Sequence, residues 1–184
     1  MHACAPAAAL NAAGQVDGGT VLNTVKSSGM PLSGKMQVAG RAFDLTGGSA
    51  SFDHSNGFLG RKTQWRRACA HSLEMGFNLQ AGYFGANENA LWLDGRIIAL
   101  SGAQFDFDPA RLMDPWHMYT EDGLLDLHFQ PEGCRSQNKN LLIAASRYAQ
   151  PIGTFSGWVR ASAEAPRRSV ERLVGVTEEH FSRW

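Results

Sequence analysis

The sequence predicts an all-β protein built as an antiparallel barrel, and three observations support this. The 184 residues include 20 glycines but only 18% charged residues, a composition typical of many short strands joined by tight turns. Turn signals recur roughly every 8–12 residues, the spacing of a β-sandwich or barrel. No segment shows a convincing helical pattern. Closure into an up-and-down barrel of about ten strands removes exposed sheet edges most simply.

The first 30 residues are rich in Ala, Gly, Ser and Asn and lack strand alternation. We therefore expect residues 1–30 to be a poorly ordered lead-in or linker, and residues 31–184 to form one barrel domain. We also expect the beginning to be that of a fragment and the C-terminus at Trp184 to be natural, because a closing-strand motif directly precedes it.

Two dipeptides carry the clearest turn signals. Ala39-Gly40 and Asp94-Gly95 each separate two strand-like runs, and Asp-Gly supplies the two positive φ angles of a type I′ turn. These turns predict two short hairpins, and Asp122-Gly123 predicts a further hairpin between 116–120 and 124–129. In chain order, the predicted strands are 35–38, 41–45, 65–73, 76–83, 90–93, 96–100, 103–108, 116–120, 124–129, 140–148, 153–161 and 170–176.

Composition and motifs exclude several functions. The 17 basic and 17 acidic residues balance, so no broad positive surface favours nucleic acid, and no apolar run approaches the ~20 residues of a membrane span. Cys4, Cys69 and Cys134 form no CxxC pair, which indicates a reducing cytoplasmic location. Without a phosphate-binding loop, a dinucleotide fingerprint or a serine elbow, we expect neither nucleotide chemistry nor serine hydrolysis, and no cofactor.

Two polar clusters at the ends of the strand run supply the candidate catalytic residues, Asp53 with His54 and Glu178 with His180. Barrel closure would bring both clusters to one mouth, with the two carboxyls within roughly 15 Å, a few strand spacings. Glu178 and His180 share one face of a strand. Asp53 would be a proton donor held neutral in an apolar mouth. Alternatively, Asp53 caps a turn and Glu178 lies at a solvated chain end.

Two features limit this hypothesis. Asp53 and His54 point to opposite faces of a strand, so both line one pocket only if the backbone bends, as residues 55–57 would allow. The four catalytic candidates are also acceptable zinc or iron ligands, but no ligand spacing concentrates them. No metal site is therefore expected, and His71, His117 and His128 are predicted to be surface or half-buried strand residues.

The best binding candidates are Arg66, Arg147 and Gln150. Arg147 follows the apolar run 141–145, which predicts a buried strand and a guanidinium paired with Asp53 or Glu178, or held in a structural salt bridge. Tryptophans are more often core residues than ligand contacts. The full set of candidate ligand-binding residues is Asn56, Trp65, Arg66, Glu88, Asn89, Trp92, Arg147 and Gln150.

Six segments across roughly residues 23–184 resemble an uncharacterised bacterial family, domain of unknown function 2804. They are 52–57, 63–66, 88–95, 131–133, 146–157 and 175–180. The layout more loosely resembles the carotenoid 1,2-hydratase (hydroxyneurosporene synthase) group. That resemblance implies tandem lipocalin-like, calycin-type barrels that act on large apolar molecules. This chain has room for one such barrel, and Arg67 stands where that group leads us to expect a second aromatic residue.

Together these features predict a lipocalin-like barrel that holds an apolar small molecule. The enzyme hypothesis is cofactor-independent acid catalysis of the hydratase, isomerase or cyclase type, starting by protonation of an alkene. The alternatives are a non-catalytic carrier barrel and a structural half of a two-barrel protein. An enzyme needs a carboxyl facing an open cavity, whereas a carrier has its acids in ion pairs. We also expect an apolar patch that binds a second lipocalin-like barrel or another copy of the chain.

Overall fold

The computed structural model describes residues 2–3, 8–141 and 143–184 and confirms an all-β, antiparallel protein. In the described residues, the only helical element is a short 3₁₀ helix, and no helix is long and apolar enough to cross a membrane. In chain order the elements are β1 (His2–Ala3), β2 (Ala9–Val16), β3 (Gly19–Ser33), β4 (Lys35–Val38), β5 (Arg41–Asp44), β6 (Gly48–Phe58), β7 (Lys62–His71), β8 (Met75–Gly82), the 3₁₀ helix (Gly85–Glu88), β9 (Ala90–Leu93), β10 (Arg96–Ala99), β11 (Ala103–Asp106), β12 (Trp116–Thr120), β13 (Leu125–Leu141), β14 (Ala144–Val159) and β15 (Arg168–Arg183).

A nine-stranded sheet forms the body of the molecule. Its strand order is β10-β9-β8-β7-β15-β14-β13-β12-β11, and it curls strongly into a half-barrel, consistent with a lipocalin-like barrel. The first strand of this sheet in sequence, β7, pairs with the last, β15, so that Trp65 lies opposite His180. This pairing places the two ends of the strand run next to each other.

A second sheet covers one end of the first, and here the structure differs from the predicted lead-in. Strand β2 lies within residues 1–30, and β3 begins there. Strand β6 pairs with β3. The sequence pattern missed β3 because its buried positions include Thr24, Lys26 and Ser28, so it lacks apolar alternation. The division into domains 1–30 and 31–184 stays a prediction.

All three predicted hairpins are confirmed, the third by the antiparallel pairing of β12 with β13. Ala39 and Gly40 have φ angles of 49° and 79°, and Asp94 and Gly95 have φ angles of 51° and 74°. The predicted strand 140–148 is wrong, because it spans the turn between β13 and β14. The run of apolar residues around this turn has the sequence pattern that is typical of a buried strand.

The core and the cavity described below lie on opposite faces of the large sheet. Large aromatic side chains fill the core, where Phe77 packs edge-on against Phe155 at 5.0 Å and Trp116 packs edge-on against Phe129 at 6.5 Å. On β7 the core takes Ala68 and Ala70, whereas Thr63, Trp65 and Arg67 point to the other face and line the cavity. The cavity therefore lies on the face of the large sheet opposite the aromatic core, where the small sheet contributes Lys26, Asp53 and Ser55.

Candidate functional site

A cavity of about 660 Å³ lies between the two sheets. Its volume falls within the range of roughly 300–1,000 Å³ that is usual for small-molecule sites. The large sheet contributes the ends of β7, β14 and β15, and the small sheet contributes β3 and β6. The cavity walls are mainly apolar, with charged side chains concentrated in one part. These charged residues include both predicted carboxylates.

Five charged side chains form a continuous row beside the cavity, in the order Glu88, Lys26, Asp53, Arg67 and Glu178. Lys26 Nζ lies 2.8 Å from Asp53 Oδ1 and 3.2 Å from Glu88 Oε2. Arg67 Nη2 lies 2.6 Å from Asp53 Oδ2, and its Nη1 lies 3.6 Å from Glu178 Oε1. One guanidinium thus bridges Asp53 and Glu178, so the structure brings the two predicted carboxylates together.

Neutral donors surround the Glu178 carboxylate. Trp65 Nε1 donates to Oε2 at 3.3 Å, while the Tyr148 hydroxyl and Gln150 Nε2 donate to Oε1 at 3.3 and 3.0 Å. Burial, followed by the negative charge of Glu178 and the hydrogen bond to it, raises the pKa of Tyr148 to about 12. Tyr148 therefore remains a hydrogen-bond donor at neutral pH.

Side-chain amides fix the rest of the row. Gln80 Nε2 donates to Glu88 Oε2 at 3.0 Å, and Arg67 Nε donates to Asn78 Oδ1 at 2.7 Å. Burial by itself lowers the pKa of Arg67, but the surrounding negative charges outweigh burial and raise it. The guanidinium is therefore a permanent cation, held in a single orientation by its partners.

Aromatic side chains form the apolar part of the wall. The ring of Trp65 stacks on that of His180 with centroids 3.7 Å apart, and Tyr83 tilts against Trp65 at 5.9 Å. Burial lowers the pKa of His180, and the opposing effect of Glu178 is smaller. The Tyr83 hydroxyl is buried and has no hydrogen-bond partner among the described residues. It is a polar group beside the cavity that a ligand would satisfy.

The structure places six of the twelve candidate residues at this site. Five of them line the cavity, and Gln150 reaches it through its bond to Glu178. Glu179 lies on the other face of β15, as strand alternation predicts. The six residues are Asp53, Glu178, His180, Trp65, Glu88 and Gln150.

Strand β6 carries two of the candidates away from the cavity. It continues through residues 55–57, so the bend that would bring His54 beside Asp53 does not form. His54 is exposed, and its ring stacks with that of Phe52, 6.3 Å away on the same face of the strand. Asn56 is exposed and pairs with Asn23 of β3.

The predicted environment of Arg147 is wrong. Arg147 is exposed, and its guanidinium lies 5.0 Å from the centroid of the Phe181 ring, not beside Asp53 or Glu178. The apolar run before it includes the end of β13 and the start of β14, and its Leu141 and Ile143 side chains are 67% and 86% exposed. No buried strand therefore carries this residue.

The other three candidates have structural surroundings. Arg66 lies over the Phe107 ring at 5.3 Å, because its neighbours on β7 take the cavity face. Asn89 bonds to backbone atoms of Gln80 and Ser101. Trp92 is 6% exposed and does not line the cavity.

Sequence reasoning missed Lys26, Arg67, Gln80 and Tyr148. Strand alternation could have found two of them, since Arg67 shares a face with Trp65, and Tyr148 shares one with Gln150. Lys26 gave no signal, because its strand was predicted as a linker.

His71 provides a pH-dependent test of the fold. Burial and then the charge of Arg67 lower its pKa to about 4, and its Nδ1 lies 2.7 Å from Ser28 Oγ. In the unfolded chain the pKa is about 6.5, so between these values the unfolded state binds more protons. The contribution of His71 is therefore fully present above pH ~6.5 and is lost toward pH ~4, at a cost of roughly 3 kcal/mol.

Urea unfolding at several pH values between about 7 and 4 measures this effect. The His71→Gln variant should lose much of the wild-type decline in unfolding free energy over that range. The exposed His54 provides a matched control, and His54→Gln should retain the decline. A wild-type pH dependence in His71→Gln would show that His71 is not the residue responsible.

One protein-family model matches this chain, whereas no curated protein and no solved structure gave a match. The resemblance to the carotenoid 1,2-hydratase group therefore stays a prediction. The matching family model extends over residues 5–184, which includes the whole large sheet, the small sheet except β1, and every residue of the cavity. The chain therefore belongs to the family described as Domain of unknown function (DUF2804).

Proposed function

We propose that the protein binds an amphipathic small molecule in the cavity between its sheets and acts as a carrier, not as an acid catalyst. The observation that carries the proposal is an apolar cavity whose carboxylates are all held in ion pairs. A carrier requires an apolar wall and a few fixed polar groups. A proton donor would need a carboxyl free of cationic partners.

The cavity offers different surroundings to the two ends of such a ligand. Trp65, Leu59 and Leu141 line it and would contact the apolar part. The Tyr83 hydroxyl and the charged row would contact a polar group such as a hydroxyl or an amine. The row contains three carboxylates and two cations, and Lys139 and Arg183 also line the cavity, so the charged side chains of the lining sum to +1 and do not disfavour an anionic ligand.

The environments of the three acids support the carrier. Both oxygens of Asp53 contact a cation, and Glu88 contacts Lys26 and the Gln80 amide. Glu178 accepts hydrogen bonds from three neutral donors and lies beside Arg67. In each arrangement the carboxylate oxygens are already engaged by cations or hydrogen-bond donors of the protein, as the carrier proposal requires.

Removing the Trp65 side chain is expected to weaken ligand binding. The neutral fluorescent amine N-phenyl-1-naphthylamine is a suitable probe, because its aromatic rings match the apolar wall and it carries no charge. Titration of the wild type should give saturable fluorescence enhancement. Trp65→Ala should raise the dissociation constant about tenfold, since an aromatic contact contributes about 1 kcal/mol or more.

Trp158 provides a matched control, because its ring packs against Arg167 at 3.9 Å and does not line the cavity. Trp158→Ala should bind the probe as the wild type does. Equal losses in both variants, or no saturable binding by the wild type, would contradict the proposal. Circular dichroism of each variant checks that the sheet remains folded.

Acid catalysis is the second candidate, and one observation favours it. The Asp53 side chain is 33% exposed at the cavity, so a bound alkene would reach its carboxylate. Incubation with farnesol, an alkene alcohol, separates the two functions. A carrier returns the molecule unchanged, whereas catalysis gives a hydrated or isomerised product by mass spectrometry, and Asp53→Asn should abolish it.

A partner barrel or a second copy of the chain remains a proposal. Exposed apolar side chains near the cavity include Leu59 at 56%, Leu141 at 67% and Trp184 at 45%. Burial of such groups would favour association. Sedimentation at micromolar concentration should show dimers or larger species, and a clean monomer would contradict self-association.

A further inference from the structure

The outer face of the large sheet carries a second cluster of polar side chains, near its β11 edge. Asp106 on β11 lies opposite His117 on β12, and His117 lies opposite His128 on β13. Asp126 precedes His128 by two residues on the same strand and therefore shares its face. Two imidazoles and two carboxylates thus come together on three neighbouring strands.

The distances within this cluster are short. His117 Nε2 lies 2.8 Å from Asp126 Oδ1, and the two imidazole rings stack with centroids 4.5 Å apart. The possible donor atoms of His117, Asp126 and His128 all lie within 4.8 Å of one another. A tetrahedral zinc ion with bonds of about 2.0–2.2 Å holds its ligand atoms about 3.3 Å apart. Side-chain rotations that move these donor atoms by about 1 Å would therefore bring them to the spacing of a zinc coordination sphere.

We propose that His117, Asp126 and His128 bind a zinc ion on this face, with one coordination position left open. Imidazole and carboxylate are suitable ligands for zinc, and three protein ligands with one open position are typical of reactive zinc sites. The open position would face solvent, since the His117 and Asp126 side chains are 33% and 38% exposed. The site is separate from the cavity, which none of these three residues lines.

Asp106 has a positioning role in this arrangement. Its Oδ2 lies 3.8 Å from His117 Nδ1, the ring nitrogen that does not contact Asp126. When Nε2 binds zinc, Nδ1 carries the proton and faces the Asp106 carboxylate. Such a carboxylate orients a histidine ligand and increases its basicity.

Zinc titration by calorimetry tests the proposal on the full chain. The wild type should bind one ion per chain, and His128→Gln should weaken binding about tenfold or more. His54→Gln removes an exposed histidine on another strand and should bind zinc as the wild type does. Asp106→Asn should weaken binding less than His128→Gln, because Asp106 is not a ligand.

Cobalt(II) provides a spectroscopic measurement of metal binding that a change in protein stability would not reproduce. Tetrahedral cobalt bound by the wild type should give intense visible absorption, which zinc displaces. His128→Gln should lose this absorption while its circular dichroism is unchanged. The proposal is overturned if the wild type binds no zinc, or if His54→Gln and His128→Gln weaken binding equally.

Discussion

Replacing Arg67 with methionine is expected to lower the free energy of unfolding by about 3–5 kcal/mol. The Arg67 guanidinium is the cation that contacts both Asp53 and Glu178, and its side chain is only 17% exposed. Without it, Glu178, at 10% side-chain exposure, keeps no cationic partner within 4.0 Å among the described residues. A buried carboxylate without a cation loses the attraction that offsets its desolvation.

The measurement is chemical denaturation of the wild type and Arg67→Met at neutral pH. Arg147 provides a matched control of the same residue type, because it is exposed and makes no ion pair in the described part of the chain. Arg147→Met should change stability by no more than about 0.5 kcal/mol. Equal losses in the two variants would mean that the charged row contributes no more than a surface arginine does.

Replacing Lys26 with methionine is expected to cost about 3 kcal/mol or more. Lys26 is 5% exposed and is the cation that Glu88 contacts, while Glu88 is itself 4% exposed. Asp53 keeps Arg67 as a partner, so the main loss falls on Glu88. Gln80 remains as its one side-chain donor in the described structure and carries no charge.

A second substitution distinguishes lost charge pairing from lost packing. In the double variant Lys26→Met with Glu88→Gln, no carboxylate is left unpaired at this position, so part of the lost stability should return. Denaturation of the wild type, both single variants and the double variant gives the coupling energy between the residues. A double variant as unstable as the sum of the single changes would indicate no coupling and contradict the ion pair.

The sequence by itself determined the all-β class and much of the strand layout, because these depend on local properties. Asp94-Gly95 specifies its turn through the two residues that must adopt positive φ. Alternation likewise placed Glu178 and His180 on one face and Glu179 on the other. The family resemblance rested on local motifs in the same way, and the family match over residues 5–184 confirms it.

Only the tertiary structure decided which polar side chains are buried and what they contact. Lys26 pairs with Asp53 from 27 residues away, and no periodic pattern marks it, because the strand that carries it buries polar side chains. Arg147 shows the opposite error, since apolar neighbours in sequence predicted burial, whereas the side chain is exposed on β14. Apolar periodicity indicates which face of a strand is buried. A buried charge, in contrast, is stabilised by partners that only the folded chain brings within reach.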